Sequence, residues 1–112
     1  MMKTLTKQEE QILLAVYSLG DEAYLITIRE KVKEFTGKYF SVGTIYSPLS
    51  RLHDLGLLES FQGESNAMRG GKAKRYYRVT EIGFDALREA RDQQQKMWEG
   101  MILPDSIEGE SR

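Results

Sequence analysis

Apolar residues near the start of the chain recur at the spacing of an α-helix. They lie on one face of such a helix and are Ile12, Leu13, Val16 and Leu19. Thr6 and Glu9 precede them with the spacing of a capping box, in which each side chain accepts a hydrogen bond from the other residue's backbone N–H. Gly20 can end the helix in a left-handed conformation. The pattern predicts a first helix between Thr6 and Gly20.

The next stretch predicts a brief strand and a second helix. Residues 23–26 are apolar and rich in strand-forming types. Thr27 and Glu30 then repeat the capping-box spacing, which predicts a helix starting at Thr27 and ending at Gly37. Its buried face is expected to carry Ile28, Val32 and Phe35.

A third helix is predicted after Ser41, whose hydroxyl can cap it. A single apolar stripe, with intervals of four, three and three, defines its buried face: Ile45, Leu49, Leu52 and Leu55. Gly56 ends the pattern. Pro48 lies inside it and lacks a backbone N–H, so it should bend the helix axis or confine the regular helix to the residues after Ser47.

The second half of the chain predicts a hairpin and a long helix. Residues 57–61 and 75–80 are β-prone and are separated by a polar tract that contains glycines. Thr80 is expected to cap a helix over residues 81–101 that ends near Gly100 and Pro104. The order of elements predicts a mainly α protein with a small β-hairpin, namely a winged helix-turn-helix domain over residues 1–80, a C-terminal helix over residues 81–103 and a disordered acidic tail over residues 104–112.

Composition narrows the class of protein. A chain of 112 residues with 40% hydrophobic and 29% charged residues is typical of one soluble domain, and no apolar run approaches the length of a membrane span. Cysteine is absent, and the N-terminus lacks the apolar core of a secretory signal. We therefore expect a cytoplasmic protein. The formal net charge of −1 does not reveal where the charges lie.

One stretch is strongly basic. Five cations occur in it with no acidic residue between the first and the last: Arg69, Lys72, Lys74, Arg75 and Arg78. A solvated charge run is the simple interpretation. However, Gly70 and Gly71 let the backbone approach another surface closely, which favours a DNA phosphate backbone or minor groove. A nucleotide-binding loop is excluded because Ala73 stands where Ser or Thr is needed. The predicted DNA contacts of this hairpin are Arg69, Gly70, Gly71, Lys72, Lys74 and Arg75.

The polar face of the third helix is the second candidate DNA-binding element. After a short helix and a turn, such a face is the one that enters the major groove. The predicted contacts there are Ser41, Thr44, Tyr46 and Ser47. Arg51 lies later on the helix and is equally suited to bind a phosphate or to form an intramolecular ion pair. Tyr24 either contacts the DNA backbone or packs in the core, and strand alternation should bury one of Tyr76 and Tyr77.

The long helix carries a coiled-coil-like seam. Its members recur at alternating intervals of four and three: Gly83, Leu87, Ala90, Gln94, Met97 and Met101. A small domain has little core left to cover this seam, so we expect a second copy of the chain to do so, with packing on the first helix as the alternative. Trp98 either packs at this interface or lines a pocket for a flat ligand. The predicted dimerisation residues are Leu87, Ala90, Gln94, Met97, Trp98 and Met101.

Three linked motifs resemble the PadR family of bacterial transcriptional regulators: SVGTIYSPLSRL at residues 41–52, GLL at residues 56–58 and GGKAKRYYRVTEIG at residues 70–83. The chain departs from the family pattern at Ser47, which intervenes before Pro48, and at Lys72, where an arginine is usual. The resemblance implies a homodimeric DNA-binding repressor that a small molecule often releases from DNA.

Other classes of function are less well supported by the residues. With one histidine, His53, predicted to lie on the surface, and no cysteine, no metal-ligand cluster or catalytic nucleophile and base can be assembled, so we expect neither an enzyme nor a cofactor. The remaining alternatives are a winged helix that contacts another protein and a ligand sensor that does not bind DNA.

Overall fold

The computed structural model describes residues 4–63 and 74–105. A short 3₁₀ turn at Gly20–Glu22 separates the first two helices. The helices and strands of the described residues are α1 (Lys7–Leu19), α2 (Leu25–Thr36), α3 (Val42–Asp54), β1 (Leu58–Gln62), β2 (Arg75–Val79) and α4 (Glu81–Trp98). β1 and β2 form an antiparallel hairpin in which Leu58 pairs with Val79 and Gln62 with Arg75. This arrangement confirms the predicted winged-helix fold class.

Three of the predicted helix caps are confirmed. The Thr6 backbone N–H donates to Glu9 Oε1 at 2.9 Å, and the Glu9 N–H donates to Thr6 Oγ1 at 3.1 Å, which completes the capping box of α1. Ser41 Oγ accepts from the Thr44 N–H, and Thr80 Oγ1 accepts from the Gly83 N–H, each at 3.1 Å. Side chains at these positions satisfy backbone donors that the helix itself leaves without acceptors.

The predicted start of the second helix is wrong. α2 begins at Leu25 with Tyr24 as its N-cap, and Thr27 lies inside the first turn, where its Oγ1 accepts from the Tyr24 N–H at 3.0 Å. The predicted strand over residues 23–26 is reduced to one bridge between Tyr24 and Tyr76, with the Tyr77 N–H donating to the Ala23 carbonyl at 2.9 Å. Pairing with the hairpin fixes Tyr24 in an extended conformation, and α2 therefore starts directly after it, closer to the N-terminus than predicted.

The core lies between the first three helices and the inner face of the hairpin. Its fully buried apolar side chains include Ile12, Leu13, Ile28, Val32, Ile45, Leu49 and Leu52. Phe35 and Leu55 were expected on the same buried faces, but they are 48% and 47% exposed. Phe35 lies in the last turn of α2 and Leu55 directly follows α3, so both lie at the carboxyl ends of these helices.

Pro48 lies inside a continuous helix. α3 starts directly after Ser41 and includes Pro48, so the predicted confinement of the helix to residues after Ser47 is wrong. A proline in a helix removes one backbone hydrogen bond. In α3 the ring of Pro48 is buried beside the core stripe, and burial of an apolar ring offsets part of that loss.

The first turn of α4 is fixed against the junction of α3 and β1. The Thr80 N–H donates to the Leu57 carbonyl at 3.1 Å, and Thr80 Oγ1 donates to the Gly56 carbonyl at 2.7 Å. A Cβ atom at Gly83 would clash with the Leu57 carbonyl and lie 2.8 Å from Val79 Cγ1, so only glycine allows this approach. α4 ends at Trp98, earlier than predicted, which leaves Met101 outside the helix.

Candidate nucleic-acid interface

The polar face of α3 is exposed. Ser41, Thr44 and Ser47 are exposed on the side of the helix away from the core, and Tyr46 is 50% exposed. The hydroxyls of Ser41 and Thr44 lie 2.8 Å apart at the amino end of the helix. Hydroxyl groups both donate and accept hydrogen bonds, so such a face can contact base edges as well as phosphates.

Arg51 forms the intramolecular ion pair that was one of its two predicted roles. Its guanidinium donates from Nε and Nη2 to Glu9 Oε2, with an Nε–Oε2 distance of 3.2 Å. The Glu9 side chain is fully buried, whereas that of Arg51 is 53% exposed. The ion pair therefore ties α3 to the start of α1, and half of the Arg51 side chain still faces solvent one turn after Ser47.

Aromatic rings pack beside the loop end of the hairpin. Tyr24, Phe61 and Tyr76 form a cluster in which Tyr76 contacts Tyr24 edge-on at 5.4 Å and stacks on Phe61 at 5.9 Å. Lys74 Nζ lies 4.1 Å above the centre of the Tyr24 ring, a cation–π contact. The cluster positions the Lys74 ammonium beside the start of α2.

Two described cations lie at the loop end of the hairpin, and their contacts differ from those of Arg78. Lys74 and Arg75 are exposed, and Arg75 Nη1 donates to Ser60 Oγ at 3.0 Å. Arg78 is neutralised by Glu59 on the paired strand at 2.9 Å. The other predicted hairpin contacts, Arg69, Gly70, Gly71 and Lys72, lie outside the described residues.

Strand alternation buries Tyr77 and leaves Tyr76 half-buried. Burial raises the pKa of the Tyr77 phenol above its usual 10.0, the neighbouring Tyr46 raises it further, and the Arg75 cation opposes both. The three residues come from α3 and β2. The exposed face of α3 and the loop end of the hairpin are therefore close together.

A concave surface joins these two elements. It encloses about 350 Å³ and is lined by Tyr24, Leu25, Ile26, Tyr46, Lys74, Arg75 and Tyr77. Two of the predicted hairpin contacts, Lys74 and Arg75, therefore share one surface with Tyr46 of α3. The sequence did not reveal Leu25 and Ile26 as part of it, because their apolar character indicated a core strand.

The end of α4 and the residues that follow it expose a run of large apolar side chains. Leu87 and Ala90 are half-buried and Gln94 is exposed. Beyond them, the exposed fractions are 65% for Met97, 51% for Trp98, 63% for Met101, 91% for Ile102 and 65% for Leu103. The first half of α4 packs on α1 through an edge-to-face contact of Tyr17 and Phe84 at 5.2 Å. The alternative prediction, in which the long helix packs on the first helix, therefore holds only for this half of α4.

Two other classes of site have no structural support in the described residues. Residues 4–63 and 74–105 contain no group of three or more His, Asp or Glu side chains arranged to hold a metal ion. None of the helices in these ranges has the length and apolarity needed to cross a bilayer.

Comparison with known proteins identifies the family. The model of the transcriptional regulator PadR-like family matches residues 13–89. The chain belongs to the PadR-like family. The resemblance seen in the three sequence motifs is thereby confirmed. PadR-like proteins are transcription regulators, a class without enzymatic activity.

Several PadR structures are similar to the chain. A PadR-like transcription factor from Bacteroides fragilis is 30% identical, with 81% of this chain and 82% of that chain covered and a TM-score of 0.69. A PadR family regulator from Eggerthella lenta is 28% identical, with coverage of 83% and 80% and a TM-score of 0.64. A PadR-like regulator from Bacillus cereus is 26% identical, with coverage of 81% and 82% and a TM-score of 0.64. No functionally curated protein matches the chain.

The PadR match ends within α4. It includes the second half of α1, α2, α3, the hairpin and the first half of α4, and it stops at residue 89. The exposed apolar run from Met97 to Leu103 lies beyond it. The features that the PadR pattern describes therefore belong to the winged-helix part of the chain and to its junction with α4.

Proposed function

We propose that the chain is a cytoplasmic, homodimeric DNA-binding regulator of the PadR type that represses transcription and that a small molecule releases from DNA. In this proposal α3 enters the major groove and the hairpin contacts the flanking phosphates. One observation carries the proposal: Tyr46 of α3 and the cations Lys74 and Arg75 of the hairpin line a single concave surface.

The charges of this surface suit a polyanion. Its lining in the described residues contains two cations and no carboxylate, although the whole chain has a formal net charge of −1. α2 begins at this surface, and the amino end of a helix favours phosphate. Lys74 is held over Tyr24 and Arg75 is held by Ser60, so both side chains are already partly ordered before a phosphate binds. This lowers the entropy cost of binding.

The exposed end of α4 supports a twofold dimer. Met97 continues the predicted seam of Leu87, Ala90 and Gln94 away from the winged-helix part, and the exposed Trp98 and Met101 lie next to it at and beyond the end of α4. A second copy that covers these side chains would bury apolar surface that otherwise faces water. A twofold dimer would also place two α3 helices for half-sites about 34 Å apart, one turn of DNA. We propose that residues 81–103 form this dimerisation segment beside a DNA-binding domain over residues 1–80.

A groove between α1 and α4 supports the proposed small-molecule release. It encloses about 600 Å³, and its apolar lining is Leu14, Tyr17, Phe84 and Leu87. This volume is typical of small-molecule sites. A ligand bound there would change the angle between α1 and α4, which would alter the distance between the two α3 helices and weaken DNA binding.

Fluorescence anisotropy with a labelled fragment of the gene's own promoter tests the proposal. Lys74→Ala combined with Arg75→Ala should weaken binding to the promoter and to a scrambled duplex by a similar factor, because phosphate contacts carry no sequence information. Thr44→Ala should weaken binding to the promoter more than to the scrambled duplex. Lys7→Ala with Lys31→Ala removes the same charge from α1 and α2, at residues outside the lining of the concave surface, and serves as the control. Equal affinity of the hairpin variant and the wild type would overturn the proposal.

A further inference from the structure

The single histidine of the chain lies in a hydrogen-bonded chain that ends at a proposed DNA-binding cation. His53, in the last turn of α3, has its Nε2 3.0 Å from Ser60 Oγ of β1. Ser60 Oγ also accepts a hydrogen bond from Arg75 Nη1 of β2 at 3.0 Å. One serine hydroxyl thus connects α3 with the hairpin.

The hydrogen bonds of Ser60 depend on the charge of the imidazole. A guanidinium only donates, so Ser60 Oγ accepts from Arg75, and the proton of the serine can be donated to Nε2 of a neutral His53. In this arrangement Nδ1 carries the imidazole proton and faces Asp54 Oδ1 at 3.8 Å.

We propose that His53 is a positioning residue for DNA binding: in its neutral form it holds Arg75 through Ser60, and its protonation releases Arg75 and weakens the grip on DNA. The inference rests on the proposed DNA-binding function.

Protonation of His53 changes two interactions of the chain. Nε2 becomes a donor, so Ser60 Oγ must accept from two cations, His53 and Arg75, instead of donating to one and accepting from the other. The imidazolium also places a second positive charge two hydrogen-bond lengths from the Arg75 guanidinium. The groups that face His53 from the elements around it are Asp54 on α3, Arg75 through Ser60, and the Tyr77 ring at 6.3 Å. Asp54 attracts the imidazolium, but its side chain is 76% exposed and its attraction is weakened by solvent.

A released Arg75 must be ordered again by DNA. Immobilising one long side chain costs enough to lower affinity by roughly threefold to tenfold. An added positive charge alone would instead raise affinity for a polyanion. The two effects have opposite signs. Weaker DNA binding at low pH indicates that His53 positions Arg75, whereas tighter binding indicates that only its charge matters.

The experiment measures DNA affinity at pH 7.8 and pH 5.8 at constant salt. Imidazole is the side chain that ordinarily changes charge in this range, and the chain has one histidine. The wild type should bind about threefold to tenfold more weakly at pH 5.8. Ser60→Ala interrupts the hydrogen-bonded chain but keeps the histidine, so the DNA affinity of this variant at pH 5.8 should equal or exceed its own affinity at pH 7.8.

His53→Gln provides the conservative replacement, since its side-chain carbonyl can accept from Ser60 at every pH. It should bind with a wild-type-like affinity at pH 7.8 and show no loss at pH 5.8. If the DNA affinity of the wild type changes with pH in the same way as that of Ser60→Ala or of His53→Gln, the inference is overturned. The proposed DNA-binding function would still hold. A wild type that binds no duplex at either pH would overturn the proposed function itself.

Discussion

Arg51 on α3 and Glu9 on α1 form an ion pair between residues 42 positions apart in sequence. The same Glu9 carboxylate accepts the Thr6 N–H, so one buried side chain both completes the cap of α1 and anchors the helix proposed to read DNA. The orientation of α3 relative to the core therefore depends on this contact as well as on the apolar stripe.

Arg51→Ala should lower the free energy of unfolding by about 1–3 kcal/mol, because it removes two charge-assisted hydrogen bonds to the buried Glu9 carboxylate. The loss of a fully buried pair would cost more, but the Arg51 side chain is 53% exposed. Urea unfolding measures the change. Arg88→Ala removes an exposed pair with Asp85 and should change stability by less than about 0.5 kcal/mol. Equal effects of the two substitutions would contradict this account of Glu9.

Local signals in the sequence were sufficient to predict several elements. Thr6 with Glu9, Ser41 and Thr80 each satisfy donors within three residues of themselves, so the start of α1, α3 and α4 could be predicted without tertiary information. The apolar stripe of α3 likewise identified its buried face, since three of its four members are fully buried.

Other features depend on contacts between distant residues. The start of α2 follows from the bridge of Tyr24 with Tyr76, and neither residue alone indicates it. The Arg51–Glu9 pair and the His53–Ser60–Arg75 chain connect different elements, and charge or polarity in the sequence does not specify such partners. The concave surface beside Tyr46 could not be predicted for the same reason.

Gly83→Ala should destabilise the protein by roughly 1–3 kcal/mol, since the added methyl group clashes with the Leu57 carbonyl and must displace α4. Gly43→Ala is the matched control, because it adds the same methyl group to a helix at a position with nothing within 4 Å. It should stabilise the fold by about 0.5–1 kcal/mol, the usual gain from replacing a helical glycine. Thermal unfolding compares the two. Destabilisation by Gly43→Ala as large as that by Gly83→Ala would refute the close packing of α4.

Trp98→Asp should convert the proposed dimer to a monomer, because it places a charge within the apolar run at the end of α4. Sedimentation equilibrium measures the mass. Phe35→Asp alters a side chain of similar exposure, 48% against 51%, on α2 and should leave the dimer intact. A wild-type mass for Trp98→Asp would show that the dimer uses another surface.

Tyr77 should make the protein less stable in alkali. Because burial raises its pKa in the folded state, the unfolded chain loses the phenolic proton at lower pH than the folded chain. This contribution to stability is complete below about pH 10 and is lost as the pH rises through the folded-state pKa. Tyr77→Phe should therefore show a smaller decline in unfolding free energy between pH 9 and pH 11 than the wild type.

The salt dependence of DNA binding tests the central claim most directly. If the two hairpins and α3 helices of a dimer neutralise about six phosphates, log affinity should fall with log salt concentration at a slope near −5. The promoter fragment is titrated between about 50 and 200 mM salt, a range in which such a slope is easily measured. A slope of this size is the predicted result, and an affinity that does not change with salt would contradict DNA binding through this surface.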